Sequence, residues 1–436
     1  METLTHSRLR AQEDALKRAF VLNGFTLFDD SSAPEIVVSQ WAFSSFDRPQ
    51  SASRKTMLLE DGSYALRSDL LSAQLPAIKA VLPGKVVCAG TVYDGADASQ
   101  PQHRVLQAVW TAPSLPLCQW QRLANLIAAE AFGLNANVQI QTVGNGALEA
   151  KVDVADKSFA LFTAGKATSL ACALLSCNDM EAWIIEVDVD AIAMTVYDIP
   201  SRDELYSPLL DALTALKDDG ANYGDSDAVR AANILRGMGF NEYFGLHAYE
   251  ADCYKKMNMI QEAWDTNDRG IQLVEPIGTL SGLPTVLTPA LEEALAANWK
   301  AGNEKCMIFE LRHIFLPGRN GAAPTEKIAL AMGAYGPDVD KIAWRRTMDA
   351  FFTKFGIKNH FFIPLPPGAA PAYHPADGWL LMDQNMKYQE GNFGSISPIA
   401  LANHGIGTQA FMAMLEFAPL EKKAAEEFGF IAPELM

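Results

Sequence analysis

Arg67, His103 and Arg104 flank one polar loop of the sequence. Guanidinium and imidazole groups gathered there suit the binding of an anion, or the neutralising of charge that builds up during a reaction. Tyr93 and Asp94 stand at the entrance of the loop and Gln107 beyond its exit. In the later half of the chain, Arg312, His313 and His374 form a second set. Together these are the candidate ligand contacts. The alternative for each is a solvated loop or hairpin position.

Little other chemistry competes. The chain has no Walker-type phosphate loop, no HExxH and no GxSxG. Gly144-Asn145-Gly146 reads as a hairpin turn. Cys88, Cys118, Cys172, Cys177, Cys253 and Cys306 show no CxxC pair or neighbouring His, so buried free thiols are expected and no metal site. Asp188 and Asp190 alternate with Val187 and Val189, which suits a strand edge better than metal ligands.

The elements that must position the first set are legible around the loop. An apolar run over 85–92 enters Asp94-Gly95-Ala96-Asp97-Ala98-Ser99, and a second run over 105–110 leaves it. Two antiparallel strands joined by a long connection are predicted. Upstream, Asp61-Gly62 marks a tight turn, so 58–69 reads as a hairpin followed by a helix, 66–78 being a strand end running into that helix.

Composition bounds the function. A chain of 436 residues suggests two domains, and 49% apolar with 20% charged residues is a globular composition. The net charge of −17, with no basic run, argues against a broad grip on nucleic acid, which needs clustered Lys and Arg. The first eight residues lack a signal-peptide apolar region, and 159–177 is broken by Gly165 and Lys166. No membrane span and a cytoplasmic location are expected.

The chain reads as a repeat. Helix, Gly24-Phe25, strand is answered by helix, Gly239-Phe240, strand. Val92-Tyr93 is answered by Ile314-Phe315, the helix 118–132 closed by Gly133 by the helix 342–355 closed by Gly356, and the strand around Glu186 by that around Glu416. The offset between partners grows by about 15 residues from first landmark to last, as loop insertions between two copies of one domain would make it. The expected boundary lies in 198–227, rich in Pro, Gly and Asp.

Several of these stretches carry a family resemblance. Residues 228–240, Leu273-Val274-Glu275-Pro276-Ile277, 289–298, Phe309-Glu310-Leu311-Arg312-His313-Ile314-Phe315 and Tyr373-His374-Pro375-Ala376 resemble the catalytic-like core of the phenylalanyl-tRNA synthetase beta subunit, a likeness spanning 228–420. In the first copy, Phe28-Asp29-Asp30, Ala65-Leu66-Arg67-Ser68-Asp69 and Gly90-Thr91-Val92-Tyr93 resemble the alpha subunit or the generic class II synthetase core, whereas 158–192 looks beta-like. The resemblance implies an α+β fold: two tandem class II synthetase-like domains, 1–207 and 208–436, each an antiparallel sheet flanked by helices. It implies further that they pack as an intramolecular pseudo-dimer, so that the chain can be a monomer. At this length the family's coiled coil, editing region and anticodon-binding domain are expected to be absent.

The resemblance also sets expectations for chemistry. Where the family places a motif 2 arginine this sequence has Asp94, and at the motif 3 step it has Asp190 and Ala191. Val109 replaces the usual motif 2 glutamate, leaving Gln107 in place. Exchanging a cation for an anion about 4 Å from a phosphate reverses roughly 4 kcal/mol at an effective dielectric near 20. The expected function is therefore that of a phenylalanyl-tRNA synthetase-like protein that binds an amino acid or related small molecule without efficient ATP-dependent activation. The alternative is an active ligase of the phenylalanine-tRNA type, in which Arg67 or Arg104 supplies the missing charge. Only that alternative calls for ATP and Mg as cofactors. A tRNA partner is possible but unsupported by charge.

Overall fold

The computed structural model describes residues 3–28, 34–46, 54–60, 62–72, 74, 78–82, 84–96, 101–133, 138–154, 157–176, 180–206, 210–211, 227–245, 248–250, 252–259, 270–318, 323–357, 360–366, 370–382 and 389–417. The expected boundary at 207/208 and the loop residues Asp97, Ala98 and Ser99 lie outside them.

Two seven-stranded sheets organise the chain. The first holds β1 (Thr26–Leu27), β2 (Lys85–Tyr93), β3 (Gln102–Ala112), β4 (Val138–Thr142), β5 (Leu148–Val154), β6 (Lys157–Lys166) and β7 (Glu181–Asp188), in the order β1-β2-β3-β7-β6-β5-β4. The second holds β8 (Asn241–Glu242), β9 (Cys306–Leu316), β10 (Thr325–Tyr335), β11 (Phe361–Pro364), β12 (Tyr373–Met382), β13 (Gln389–Ile396) and β14 (Ala410–Glu416), in the order β8-β9-β10-β14-β13-β12-β11. The order is the same in both. Each sheet is antiparallel except for its first pair, β1-β2 and β8-β9, which is parallel.

Each copy covers one face of its sheet with helices whose apolar spacing dictates the contact. In the first, α1 (Thr5–Leu22) and α2 (Leu117–Phe132) pack on Val87, Leu106, Ala108, Trp110 and Ile185. The buried stripe of α2, Trp120, Leu123, Ala124, Ile127, Ala128 and Ala131, repeats every three to four residues, and Gly133 ends the helix at φ 67°. In the second copy, α5 (Asp227–Gly237) and α7 (Lys341–Phe355) pack on Phe309, Leu330, Met332, Phe411 and Leu415. Asp340 caps α7 by accepting from the Ile342 and Ala343 amides at 2.8 and 2.7 Å.

The opposite faces differ. The second sheet is covered by α6 (Thr288–Lys300), whose Leu291 and Leu295 join Ile308, Ala329, Ala331 and Met412 in one apolar cluster. Residues 67–72 are not helical, and Leu70 to Ser72 run as a turn; the expected helix is present only at its end, where the Ile78 amide donates to the Gln74 carbonyl at 2.9 Å, residues 73 and 75–77 lying outside the described ones, and Lys79–Val81 is a single 3-10 turn. After the strand ending at Leu66, Asp69 and Ser72 bond side chain to backbone and hold residues 69–72 in turn conformation. Cys118 is exposed and Cys172 half-buried rather than buried, while Cys88, Cys253 and Cys306 are buried free thiols; Cys177 lies outside the described residues.

The copies share an interface. Each adds a three-stranded sheet: Ile36–Val38, Tyr64–Leu66 and Met57–Leu58 in one, Tyr249–Glu250, Leu280–Gly282 and Gln272–Ile277 in the other. A bridge between Leu59 and Leu273 joins the two small sheets, and the Glu60 amide donates to the Gln272 carbonyl at 3.1 Å. Their inner faces form one apolar cluster with Tyr93 and Phe315. Contacts are reciprocal: Gln102, opposite Tyr93 in its sheet, donates to the Gly245 carbonyl at 3.3 Å, while Glu326, opposite Phe315, accepts from the Glu35 amide at 2.7 Å.

Candidate functional site

Alternation along β3 sends His103, Val105 and Gln107 to one face of the first sheet and Arg104 and Leu106 to the other. β7 places Glu186 directly opposite Gln107. On this face the Gln107 carboxamide donates to Glu186 Oε2 at 2.5 Å, and its Oε1 accepts from the Leu70 and Leu71 amides at 2.8 and 3.1 Å. Arg54 completes the group: Nη2 lies 2.9 Å from Glu186 Oε1, Nη1 lies 3.1 Å from Oε2, and Nη1 also donates to the Ser68 carbonyl at 3.1 Å. Burial opposes the charge of Arg54, but Glu186, Asp188 and Asp69 outweigh it and raise its pKa.

His103 lies beside this group, nine-tenths buried, and its Nε2 has no hydrogen-bond partner among the described residues. Burial, then the Arg202 guanidinium, push its pKa down to about 4 against the pull of Asp188. It is neutral at pH 7. Asp94 turns back into its own loop, accepting from the Lys55 and Ala96 amides, each at 2.9 Å.

Arg104 faces the helices instead. Its Nε bonds Glu13 Oε2 at 2.5 Å, and its backbone amide donates to Asp190 at 3.2 Å. Asp188 ends β7 and caps the helix Val189–Val196 by accepting from the Ala191 amide at 2.9 Å, so Asp190 lies buried in a helix rather than on the strand edge its alternation with valines suggested. Arg202 reaches Asp188 at 2.8 Å and Asp190 at 3.4 Å. Burial and neighbouring Asp188 push the Asp190 carboxyl up to about 7, although the Tyr206 hydroxyl donates to it at 3.0 Å.

The other candidates converge at the interface between the copies. Arg67 is fully buried, donating to the Thr91 carbonyl at 2.8 Å with Glu35 at 4.0 Å. Tyr93 donates to Glu35 at 2.6 Å, and His313 lies 3.4 Å from the same carboxylate. Burial lowers the His313 pKa, but Glu35 reverses that and leaves it raised. Arg312 pairs with Glu310 at 2.9 Å and donates to the Gly245 carbonyl at 3.2 Å. His374 stands apart, accepting from the Ala376 amide at 3.1 Å and bordering an open depression with Ser395, Leu401, Thr408 and Gln409.

Sequence reasoning missed Glu186 and Arg54 as site residues. Glu186 carries a signal, being the one acid inside the apolar run 182–187. Arg54 carries none, lying in a short Ser/Arg/Lys stretch without periodicity.

With this geometry in place, the likeness to known proteins can be located. Residues 216–417 match the family described as the phenylalanyl tRNA synthetase beta chain CLM domain. The phenylalanine–tRNA ligase beta subunit of Clostridium tetani is 23% identical over 197 residues, covering 45% of this chain and 24% of that protein. The same subunit of Clostridium acetobutylicum is 21% identical over 186 residues, covering 42% and 23%. The chain thus spans about a quarter of the length of these relatives. The match includes Arg312, His313 and His374 and leaves the Gln107–Glu186 face outside it. Through its second half the chain is phenylalanyl-tRNA synthetase beta-like.

Proposed function

We propose that this is a phenylalanyl-tRNA synthetase-like protein of two class II-type copies, 1–207 and 208–436, packed as an internal pseudo-dimer. On the first copy's sheet it binds an amino acid or related small molecule without efficient ATP-dependent activation, and it works in the cytoplasm. One observation carries this reading: the cations near that face are engaged by protein carboxylates and carbonyls; the resemblance adds that Asp94 falls where a phosphate-binding arginine would be needed. Arg54 is on Glu186, Arg202 on Asp188 and Arg67 on the Thr91 carbonyl, while Arg104, on the opposite face of the sheet, is held by Glu13. A triphosphate arriving here would meet neutralised arginines and added carboxylates, and its developing charge would find no stabilising partner. A zwitterionic amino acid suits a mixed-charge face better.

Amino-acid-dependent exchange of pyrophosphate into ATP, run across the common amino acids beside a thermal-shift screen of the same compounds, tests the reading. The expected result is a stabilising amino acid or analogue with no exchange above background. Robust exchange would overturn it in favour of the active ligase with ATP and Mg.

A further inference from the structure

We infer that Arg54 is an internal ligand: its guanidinium fills a cation subsite built by Glu186 and Gln107, and an organic cation, an α-ammonium or a guanidinium, takes its place when ligand binds. This deepens the proposed function by naming the group the site recognises, and it rests on reading that face as the ligand site. The subsite's chemistry is on the page. Glu186 presents both carboxylate oxygens in one plane to Arg54, a geometry that fits any forked or compact N–H donor. Gln107 fixes that carboxylate from below through its amide and is itself fixed by two backbone amides. Asp69 and Asp188 add negative field at the same point, so a cation is the complementary guest.

How Arg54 arrives there sets it apart from an ordinary core ion pair. It comes from the segment leading into the strand Met57–Leu58, not from the sheet or its helices. Among the described residues, Lys55 is tied to the loop by the Asp94 carboxylate on its amide and the Gly95 amide on its carbonyl, each at 2.9 Å. The Lys55–Glu275 pair beside them is exposed at 54% and 72% and is screened by solvent. Nor does the fold require the charge. At the positions matching Gln107 and Glu186 the second sheet carries Ala331 and Met414, paired in the same register and packed in an apolar cluster.

Benzylammonium and methylguanidinium are the probes, since neither depends on which amino acid binds. Calorimetric titration of the full chain should give an affinity for benzylammonium at least about tenfold higher in Arg54→Ala than in the unsubstituted protein, because a site occupied by its own side chain binds with reduced apparent affinity. Methylguanidinium should raise the melting temperature of Arg54→Ala and leave that of Arg54→Ala/Glu186→Gln unchanged. Should Arg54→Ala fail to fold, Arg54→Lys keeps one charge with poorer geometry and should show a smaller gain of the same sign. Equal affinities in the substituted and unsubstituted proteins, or binding that survives loss of the Glu186 carboxylate, would overturn the inference. Probe binding to Arg54→Ala with no amino acid stabilising the unsubstituted protein would sustain the subsite while removing the amino-acid reading.

Discussion

The two copies build one sheet twice and finish it differently. Over β9, β10 and β14 lies a helix, Thr288–Lys300, whose Leu291 and Leu295 pack on the sheet. Over β2, β3 and β7 lies irregular backbone, whose Leu70 and Leu71 amides have no helical carbonyl to bond. Buried amides must be paired. Gln107 pairs them, and Glu186 and Arg54 then settle the remaining polarity. The difference teaches that a polar site can follow from what covers a sheet as much as from the sheet itself. A gap in a helix obliges the strands beneath to carry hydrogen-bonding side chains.

The largest test removes the charge that this arrangement needs. Glu186→Ala strands Arg54 in the interior and should cost about 3–5 kcal/mol in urea unfolding, whereas Arg54→Leu/Glu186→Met, which imitates the second copy, should recover most of it. A double variant as unstable as the single one would break the comparison.

A second contrast is electrostatic. Asp190, at the step after β7, has its carboxyl raised to about 7, above its ordinary value, so the stability it contributes is full below about pH 4 and is lost as pH rises through 7. Between pH 4 and 8 the protein should therefore lose on the order of 4 kcal/mol that Asp190→Asn retains. Parallel stability curves for the two proteins would remove Asp190 from the account.

Smaller effects probe each covering directly. Gln107→Ala installs the residue found at 331, yet it should destabilise by about 1–3 kcal/mol for each amide it strands. Gly333→Val installs the residue found at 109, and its new atoms would meet Leu295 Cδ1 at 3.0 Å and Leu291 at 3.2 Å. Overpacking of that kind costs about 1–3 kcal/mol, while the first copy holds Val109 at the same register without penalty. If either exchange proved neutral by calorimetry, the covering would not be what separates the two faces.

The helices and strands that recur in the two sheets were legible because helix stops and strand ends are local signals. Gly133 and Gly356 sit where positive φ is required, and the strands around Trp183 and Phe411 are apolar runs that need no partner to be recognised. The start of the expected helix misled because its apolar spacing competes with Asp69 and Ser72, which bond locally and hold a turn over 69–72 instead. The site was only half legible. Gln107, Asp94 and His103 belong to one hairpin, so the sequence gathers them, but Arg104 alternates to the far face by a single residue. Arg54 and Glu186 lie 132 residues apart, and their meeting depends on a register between strands that composition does not disclose.

The bridge between Leu59 and Leu273 sets an order of events during synthesis. At typical elongation rates of about 5–20 residues per second, roughly 210 residues of further translation leave the edge of Met57–Leu58 unpaired for tens of seconds, as a template to which another nascent chain can add. Exposed Leu58 and Val274 flank the same seam. Crowded ribosomes carrying this message would thus be the place where swapping between molecules begins, with the first copy of one chain closing on the second copy of its neighbour.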